Sequence, residues 1–271
     1  MTDWKLNFRA MIGRAYPRVV GAQREPSWVL FDIFLPLLGI AAFIYYYRAM
    51  GAPEAFTGFV VLGGAMTAFW LNVLWSMATQ FYWEKETGNL QLYLLAPMSR
   101  MAVLAGMAVG GLFFTTVRAA STFILGFIIF GVQVQITDPL GLVGTFVLTM
   151  IALYGMGMMF SSLYMLYGRG AWNFSMLLQE PIYLVSGFYF PVKQLGFWVA
   201  AGASLIPITL GLDAMRQQMF SSGAVQGFLP TWIELVILIV LAIGFLVASR
   251  FSLTYMEELG KREGRLTLRW Q

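Results

Sequence analysis

Long apolar runs, separated by short polar stretches, constrain this chain more than any other feature. The hydrocarbon core of a bilayer is about 30 Å thick and takes about 20 apolar residues of α-helix. Six runs reach or approach that length: Trp28–Tyr47, Phe56–Gln80, Met101–Phe130, Leu140–Tyr167, Trp172–Phe190 and Trp232–Ala248. The sequence therefore predicts an all-α membrane protein with six transmembrane helices in a single domain spanning residues 1–271.

The composition supports this class and excludes several chemistries. Hydrophobic residues make up 59% of the chain and charged residues 11%, against about 45–50% and about 25% in soluble domains. Cysteine and histidine are absent, which removes disulfides, thiolate nucleophiles, haem ligation and ordinary zinc sites. No two aspartates fall within one predicted membrane core, so a membrane hydrolase is also disfavoured. We expect no catalytic residue and no metal site on this chain.

The basic residues predict the orientation. With six spans and a cytoplasmic N-terminus, 13 basic residues fall on the inner side and 3 on the outer side. The inner ones are Lys5, Arg9, Arg14, Arg18, Arg24, Lys85, Arg100, Arg169, Arg250, Lys261, Arg262, Arg265 and Arg269, and the outer ones are Arg48, Lys193 and Arg216. The positive-inside rule therefore predicts a multi-pass protein of the cell inner membrane with both termini cytoplasmic, including a cytosolic tail at 250–271.

A further apolar stretch, Leu195–Leu212, is predicted to re-enter the membrane rather than cross it. Pro207 and three glycines interrupt it, and a seventh span would place the basic C-terminal tail outside. Irregular backbone at membrane depth is tolerated when protein covers it. We expect a pair of short helices within an outer re-entrant region, 191–228.

The N-terminal residues 1–26 carry an amphipathic pattern. Aromatic and aliphatic residues at helical spacing face one way and basic residues complement them: Trp4, Phe8, Met11, Ile12 and Tyr16 against Lys5, Arg9, Arg14 and Arg18. This indicates an interfacial helix on the cytoplasmic leaflet, limited at Pro17. The alternative is a solvated basic tail.

The connection between the second and third runs, Phe81–Arg100, contains a charged cluster and a helical spacing of apolar residues that a simple connecting loop would not need. Glu84, Lys85 and Glu86 precede a glycine hinge at Gly88, and Leu90, Tyr93 and Leu94 then follow helical spacing. A short helix at 83–97, ended by Ala96-Pro97, would lie on the membrane surface and present a charged face to a soluble partner. The alternative is a passive connector.

This segment resembles the first cytoplasmic loop of type-2 ABC transporter permeases, the membrane subunits of drug, lipid and polysaccharide exporters. The shared form is E-x-x-x-G-x-L-x-x-L-L-x-x-P-x-x-R, and Tyr93 stands where leucine is commoner. The residues that the resemblance assigns to docking of an ATPase subunit are Glu84, Lys85, Glu86, Gly88, Leu90, Leu94, Pro97 and Arg100. Two further motifs resemble the same family in the same order: Ser186–Pro191, and Pro207–Thr209 followed by Leu212–Arg216.

The resemblance implies a transport subunit that works with two ABC ATPase subunits and with a second permease copy or a homologue, in contact with membrane lipids and with no nucleic acid. The chain has no G-x-x-x-x-G-K-[ST] phosphate loop. ATP and Mg²⁺ are therefore expected on the partner subunit, and closure of that subunit would move the spans through the helix at 83–97.

Arg118 and Glu180 are ionisable residues that fall well inside predicted spans. Arg118 lies deep in the third run and Glu180 lies in the fifth, and a charged group at such depth needs a partner. We predict an Arg118–Glu180 ion pair, serving either as a static brace or as a polar element of the substrate path.

No motif in the sequence identifies the substrate. Candidates for a wall of its path are Phe69, Trp70, Asn72, Trp75, Phe188, Tyr189 and Phe190, although aromatic residues are also common in membrane interiors. The scarcity of polar groups favours export of a hydrophobic or amphipathic drug or lipid over export of a polysaccharide or glycolipid. An ion-coupled carrier or channel is the alternative of another class, and it would give no reason for the shaped loop at 83–97.

Overall fold

The computed structural model describes residues 4–22, 26–136, 138–167, 169–220 and 223–264, and the regular elements in these ranges are all helices. The α-helices are α1 (Trp4–Ala22), α2 (Pro26–Ala49), α3 (Ala55–Asn72), α4 (Gln80–Glu86), α5 (Asn89–Leu95), α6 (Arg100–Phe130), α7 (Pro139–Tyr167), α8 (Arg169–Val185), α9 (Phe197–Ala203), α10 (Pro207–Met219), α11 (Gly223–Gln226) and α12 (Thr231–Arg262). A π-helix, Val73–Met77, joins α3 to α4, and a 3₁₀-helix, Val192–Leu195, precedes α9. The predicted all-α fold is confirmed.

Within the described residues, five helical segments are long and apolar enough to cross a membrane: α2, the continuous α3–α4 segment, α6, α7 and α12. The pair α9 and α10 also passes this test, but its two helices are bent by 110°. The predicted fifth span is shorter than expected, because α8 has 17 residues and ends at Val185 rather than Phe190. Its length is about 25 Å at 1.5 Å per residue.

Side-chain contacts define the two ends of the helix bundle. At the first, which we call the basic end, Arg14 of α1 contacts Glu84 of α4, and Arg100 at the start of α6 contacts Glu257 late in α12. The opposite end, the far end, contains the turn between α2 and α3. The far end also contains Arg216 of α10.

The α9–α10 pair enters and leaves at the far end. Arg216 Nη1 donates to the carbonyl oxygen of Gly187, just after α8, at 2.6 Å. Gln217 Nε2 donates to the carboxylate of Glu234, in the first turn of α12, at 3.1 Å. Because the chain leaves α8 and enters α12 at the same end, the intervening helices have the geometry of a re-entrant pair.

Several helices extend beyond the predicted spans. The second span continues past Gln80 to Glu86 through the π-helix, and α12 continues past Ala248 to Arg262. Residues 250–262, predicted as the start of a cytosolic tail, therefore extend the last helix, and 265–271 lie outside the described residues. Pro17 does not end α1, because proline removes one helical hydrogen bond while contacts with α6 hold the helix on both sides of it.

α1 packs along the first part of α6, and glycines make the approach possible. A Cβ on Gly106 would lie 2.4 Å from the carbonyl oxygen of Met11, and one on Gly110 would lie 2.9 Å from that of Ala15. α6 is about 46 Å long at 1.5 Å per residue, well over the hydrocarbon thickness of about 30 Å. The part of α6 that α1 contacts can therefore lie at the interface, as an interfacial α1 requires.

A leucine at Gly106 is expected to separate α1 from α6, because its side chain would occupy the volume of the α1 backbone. The chain has no cysteine, and Asn7 Oδ1 accepts a hydrogen bond from the Ser99 amide at 2.8 Å. Cysteines at these two positions should cross-link through a short bifunctional maleimide, and Gly106→Leu should abolish the cross-link. Val109→Leu, on the exposed side of α6, should leave it unchanged. An equally efficient cross-link in Gly106→Leu would contradict this packing.

Candidate functional site

A cluster of buried polar side chains joins α1 to α4 at the basic end. Glu84 is 5% exposed, although it lies in the most polar stretch between two spans. It forms an ion pair with Arg14 and accepts a hydrogen bond from Gln80 Nε2 at 2.7 Å. Its position on α4, one turn after Gln80, directs both side chains to the same side.

Arg18 connects this cluster to two further helices. It donates to Gln80 Oε1 at 2.6 Å, to Ser76 Oγ at 2.7 Å and to the carbonyl oxygen of Met107 at 2.9 Å. Burial, followed by the nearby charge of Arg14, lowers the pKa of Arg18 to about 10, so the guanidinium stays charged at neutral pH. One side chain of α1 thus holds the π-helix, α4 and α6 together.

The predicted charged docking face is corrected by these contacts. Glu84 and Lys85 are both buried, and Arg100 lies 2.9 Å from Glu257 of α12. Glu84 therefore connects helices of this chain, and Glu84 and Lys85 do not face outward as a pair. Sequence reasoning failed here because the partner, Arg14, lies 70 positions away in the chain.

The short helix after the hinge is present, and it exposes leucines. Gly88 adopts φ +80°, a left-handed conformation that glycine takes without strain, and α5 follows it. Leu90 is buried at 2% exposure and holds α5 against the bundle, whereas Leu92 and Leu95 are 64% and 84% exposed. We call these two side chains the leucine face. They stand at i and i+3, and so share one side of α5.

At the far end, two of the motifs noted in the sequence meet in space. Arg216, 2% exposed, donates to the carbonyl oxygens of Gly187, Phe188 and Phe59 at 2.6, 2.7 and 2.9 Å. A Cβ on Gly63 would lie 1.5 Å from the Phe188 oxygen, so only glycine permits this approach. The motif at 186–191 and the motif ending at Arg216 thus form one buried hydrogen-bonded unit.

The predicted ion pair between Arg118 and Glu180 is not formed. Arg118 Nη1 lies 2.8 Å from Asp32 Oδ2, which ties α6 to α2. Glu180 is exposed on α8 and accepts a hydrogen bond from Gln179 Nε2 at 3.1 Å. The prediction was wrong because the order of helices around the bundle, which the sequence does not display, places α2 beside α6.

Three of the predicted path residues lie in the core of the bundle. Phe69, Trp70 and Phe188 are at most 1% exposed, since α3 is the central helix and is buried continuously from Gly58 to Trp70. These three side chains cannot form a surface of this chain, and that part of the prediction is corrected.

The remaining path candidates are partly exposed. Asn72 Oδ1 accepts from the Tyr154 hydroxyl at 2.9 Å, and Trp75 Nε1 donates to Gln179 Oε1 at 2.6 Å. Tyr189 stacks on Phe43 with ring centroids 4.1 Å apart, and Phe190 is half-buried beside it in sequence. Their role in a path stays a prediction.

Together, the spans, the buried polar junction at the basic end and the exposed helix α5 define a polytopic helical membrane protein with a shaped surface at one end. The family model for the ABC-2 type transporter matches residues 9–220. The chain belongs to the ABC-2 type transporter family, and the resemblance found in the sequence is confirmed.

Membership of this family makes the chain a multi-pass permease, the membrane transport subunit of an ABC transporter, which is not itself catalytic. It also implies association with ABC ATPase subunits. No curated protein and no solved structure matches the chain.

Proposed function

We propose that this chain is the permease of an ATP-driven exporter that moves a hydrophobic or amphipathic molecule, a drug or a lipid, out of the cytosol or the inner leaflet. Its partners in this proposal are two ABC ATPase subunits, which hold ATP and Mg²⁺, and a second permease, either a copy or a homologue. The observation that carries the proposal is α5, a short helix anchored by Leu90 that exposes the leucine face beside the buried junction.

The contacts at the basic end connect α5 mechanically to other helices of the bundle. α5 follows α4 across the Gly88 turn, and α4 is bound to α1 through Glu84 and Arg14. Arg18 extends the connection to the carbonyl oxygen of Met107 in α6. A displacement of α5 by an ATPase subunit would therefore reach three helices at once. An ion-coupled carrier would have no use for this arrangement.

Aspartate at both positions of the leucine face is expected to abolish assembly with the ATPase subunit, because a charged pair would replace the apolar contact. The tagged chain is purified with its ATPase subunit from a strain that expresses both, and Mg²⁺-dependent ATP hydrolysis is measured per permease. Leu92→Asp/Leu95→Asp should reduce the co-purified activity at least about tenfold, the usual scale of an interface hot spot.

Met50→Asp is the matched control, since Met50 is also an exposed apolar side chain, at 69%, but lies in the turn between α2 and α3 at the far end. It should retain full assembly. Undiminished ATPase in the double variant, or an equal loss in the control, would contradict docking through α5.

A further inference from the structure

A cavity of about 570 Å³ lies at the far end of the bundle. One wall is the end of α2 with the turn that leads into α3, and the other is the segment 130–135 at the end of α6. Phe220, just after α10, also lines it. The volume falls in the range of about 300–1,000 Å³ that is typical of ligand sites. Because the junction of α1 with α4 lies at the opposite end, this cavity is a separate feature of the fold.

Backbone hydrogen bonds hold both walls of the cavity. The Ala52 amide donates to the carbonyl oxygen of Tyr47 at 3.0 Å, which closes the turn after α2. In the other wall, the Gln135 amide donates to the carbonyl oxygen of Met219 at 2.8 Å, which attaches the segment after α6 to the end of α10. The concavity is therefore fixed by the backbone and does not depend on side-chain positions alone.

The lining contains one cation and one anion, and these two groups are not paired. Arg48 and Glu54 are the lining residues that are charged at neutral pH, and both are exposed. No ion pair joins them to each other or to another described residue. Arg48 donates to the Phe130 carbonyl oxygen at 3.4 Å, a long contact, and Glu54 makes no capping hydrogen bond to α3. A ligand that carries both charges would complement both groups at once.

The level of the cavity along the bundle corresponds to lipid headgroups. Tyr45 and Tyr46, one turn before the end of α2, are 62% and 59% exposed, and tyrosines at the ends of spanning helices are typical of the headgroup level. The Tyr45 ring meets that of Phe130, the last residue of α6, edge-on with centroids 6.4 Å apart. The two helices thus end at the same level, where the cavity begins.

A zwitterionic phospholipid headgroup fits this lining better than other ligands of the same region. It carries a phosphate, which a guanidinium binds through charge-assisted hydrogen bonds, and an ammonium group, which a carboxylate binds. Thr57, Gln133 and Gln135 add neutral donors and acceptors to the lining. An anionic headgroup would meet the charge of Glu54. A metal ion would need several oxygen ligands, and the described residues contain no group of three potential metal ligands.

We propose that this cavity binds the zwitterionic headgroup of a phospholipid, with the phosphate at Arg48 and the ammonium group at Glu54. The bound headgroup joins the turn between α2 and α3 to the segment after α6, and its acyl chains lie in the bilayer beside the exposed tyrosines of α2. This site goes beyond the proposed function and does not depend on it, because lipid binding needs neither ATP hydrolysis nor transport.

Two short-chain lipids test the site by native mass spectrometry of the full-length permease in detergent. Dihexanoyl phosphatidylethanolamine has both charges, whereas dihexanoyl phosphatidylglycerol has the phosphate without the ammonium group. The unsubstituted chain should bind the first at least about tenfold more tightly, because the Glu54 carboxylate repels the second. Glu54→Gln should remove this preference. Arg48→Gln should weaken binding of both lipids at least about tenfold, since both lose the guanidinium.

Control variants separate the site from general charge and from folding. Lys193→Gln and Glu258→Gln remove exposed charges outside the cavity and should leave both affinities unchanged. In detergent without lipid, Arg48→Gln and Glu54→Gln should unfold at the parent midpoint, because a ligand stabilises the folded state only when it is present.

Equal affinity of the unsubstituted chain for the two lipids, or an unchanged preference in Glu54→Gln, would overturn the proposal. A lower fraction of permease dimers in Arg48→Gln and Glu54→Gln with lipid binding intact would also overturn it, because the two charges would then pair between copies.

Glycerophosphoethanolamine, the same headgroup without acyl chains, distinguishes a lipid from a free zwitterion as the source of the ligand. It should bind at least about tenfold more weakly than the lipid, since the acyl chains add apolar contact. Equal affinity would assign the cavity to a free zwitterion and overturn the assignment to a lipid.

Discussion

Arg216→Ala is expected to destabilise the folded chain strongly. The substitution leaves at least three buried carbonyl oxygens, those of Gly187, Phe188 and Phe59, without the donor that each has now. Each unsatisfied buried group costs about 1–3 kcal/mol, and a cavity the size of an arginine side chain adds to that. We expect a loss of at least about 3 kcal/mol in the free energy of unfolding, a large share of the about 5–15 kcal/mol that is typical of a folded protein.

The measurement is the unfolding midpoint in a fixed lipid or detergent, together with the yield of monodisperse protein. Arg48→Ala is the matched control at the same end, because Arg48 is exposed and its guanidinium makes one long contact, 3.4 Å, with the Phe130 carbonyl oxygen. The control should stay within about 0.5 kcal/mol of the parent, as for an ordinary surface substitution. An Arg216→Ala protein as stable as the control would show that the carbonyl groups find other donors.

Lysine at this position should rescue only part of the stability. It keeps the charge, but its single ammonium group lacks the planar fork with which a guanidinium reaches several acceptors. The order of stability expected is therefore arginine, then lysine, then alanine. That order would separate the hydrogen-bond geometry from the charge alone.

The parts of the fold that depend on local sequence were predictable. The apolar runs at 101–130 and 140–167 became α6 and α7 within one residue at each end, because length and hydropathy alone decide a span. The turn at Gly88 and the helix after it were also predictable, since glycine spacing and leucine periodicity are local signals.

The parts that depend on helix order were not predictable. Glu84 is bound by Arg14, and Arg118 by Asp32, and each pair joins different helices far apart in the sequence. Hydropathy cannot say which face of α3 is central, so the burial of Trp70 also escaped prediction. The basic face of the N-terminal helix did give one indication of the Glu84 contact. A carboxylate buried near that helix would need a cationic partner, and the arginines of the helix could supply it.

Glu84→Ala is expected to disconnect ATP hydrolysis from transport. The substitution removes the carboxylate that binds Arg14 and accepts from Gln80, and it leaves a largely buried guanidinium unpaired. Breaking such a pair costs about 3–5 kcal/mol, and it leaves the hydrogen bond from Arg18 to Gln80 as the remaining polar link between α1 and α4. The leucine face lies outside this contact, so docking of the ATPase subunit should persist.

In proteoliposomes that contain the complex, substrate movement per ATP hydrolysed should fall at least about tenfold in Glu84→Ala, since about 1.4 kcal/mol already changes a two-state population tenfold. ATP hydrolysis itself should remain measurable. Glu86→Ala, two residues further on and only partly buried, is the control and should keep the parent ratio.

The exchanged pair, Arg14→Glu with Glu84→Arg, tests whether the ion pair itself transmits the motion. The cycle of single and double variants should give a coupling energy of about 1–3 kcal/mol, as for residues in direct contact, with a transport ratio better than that of either single variant. Arg18 remains nearby and would repel the new arginine on α4, so complete recovery is not expected. If the double variant transports no better than the worse single variant, the junction between α1 and α4 is structural only, and force reaches the spans by another route from α5.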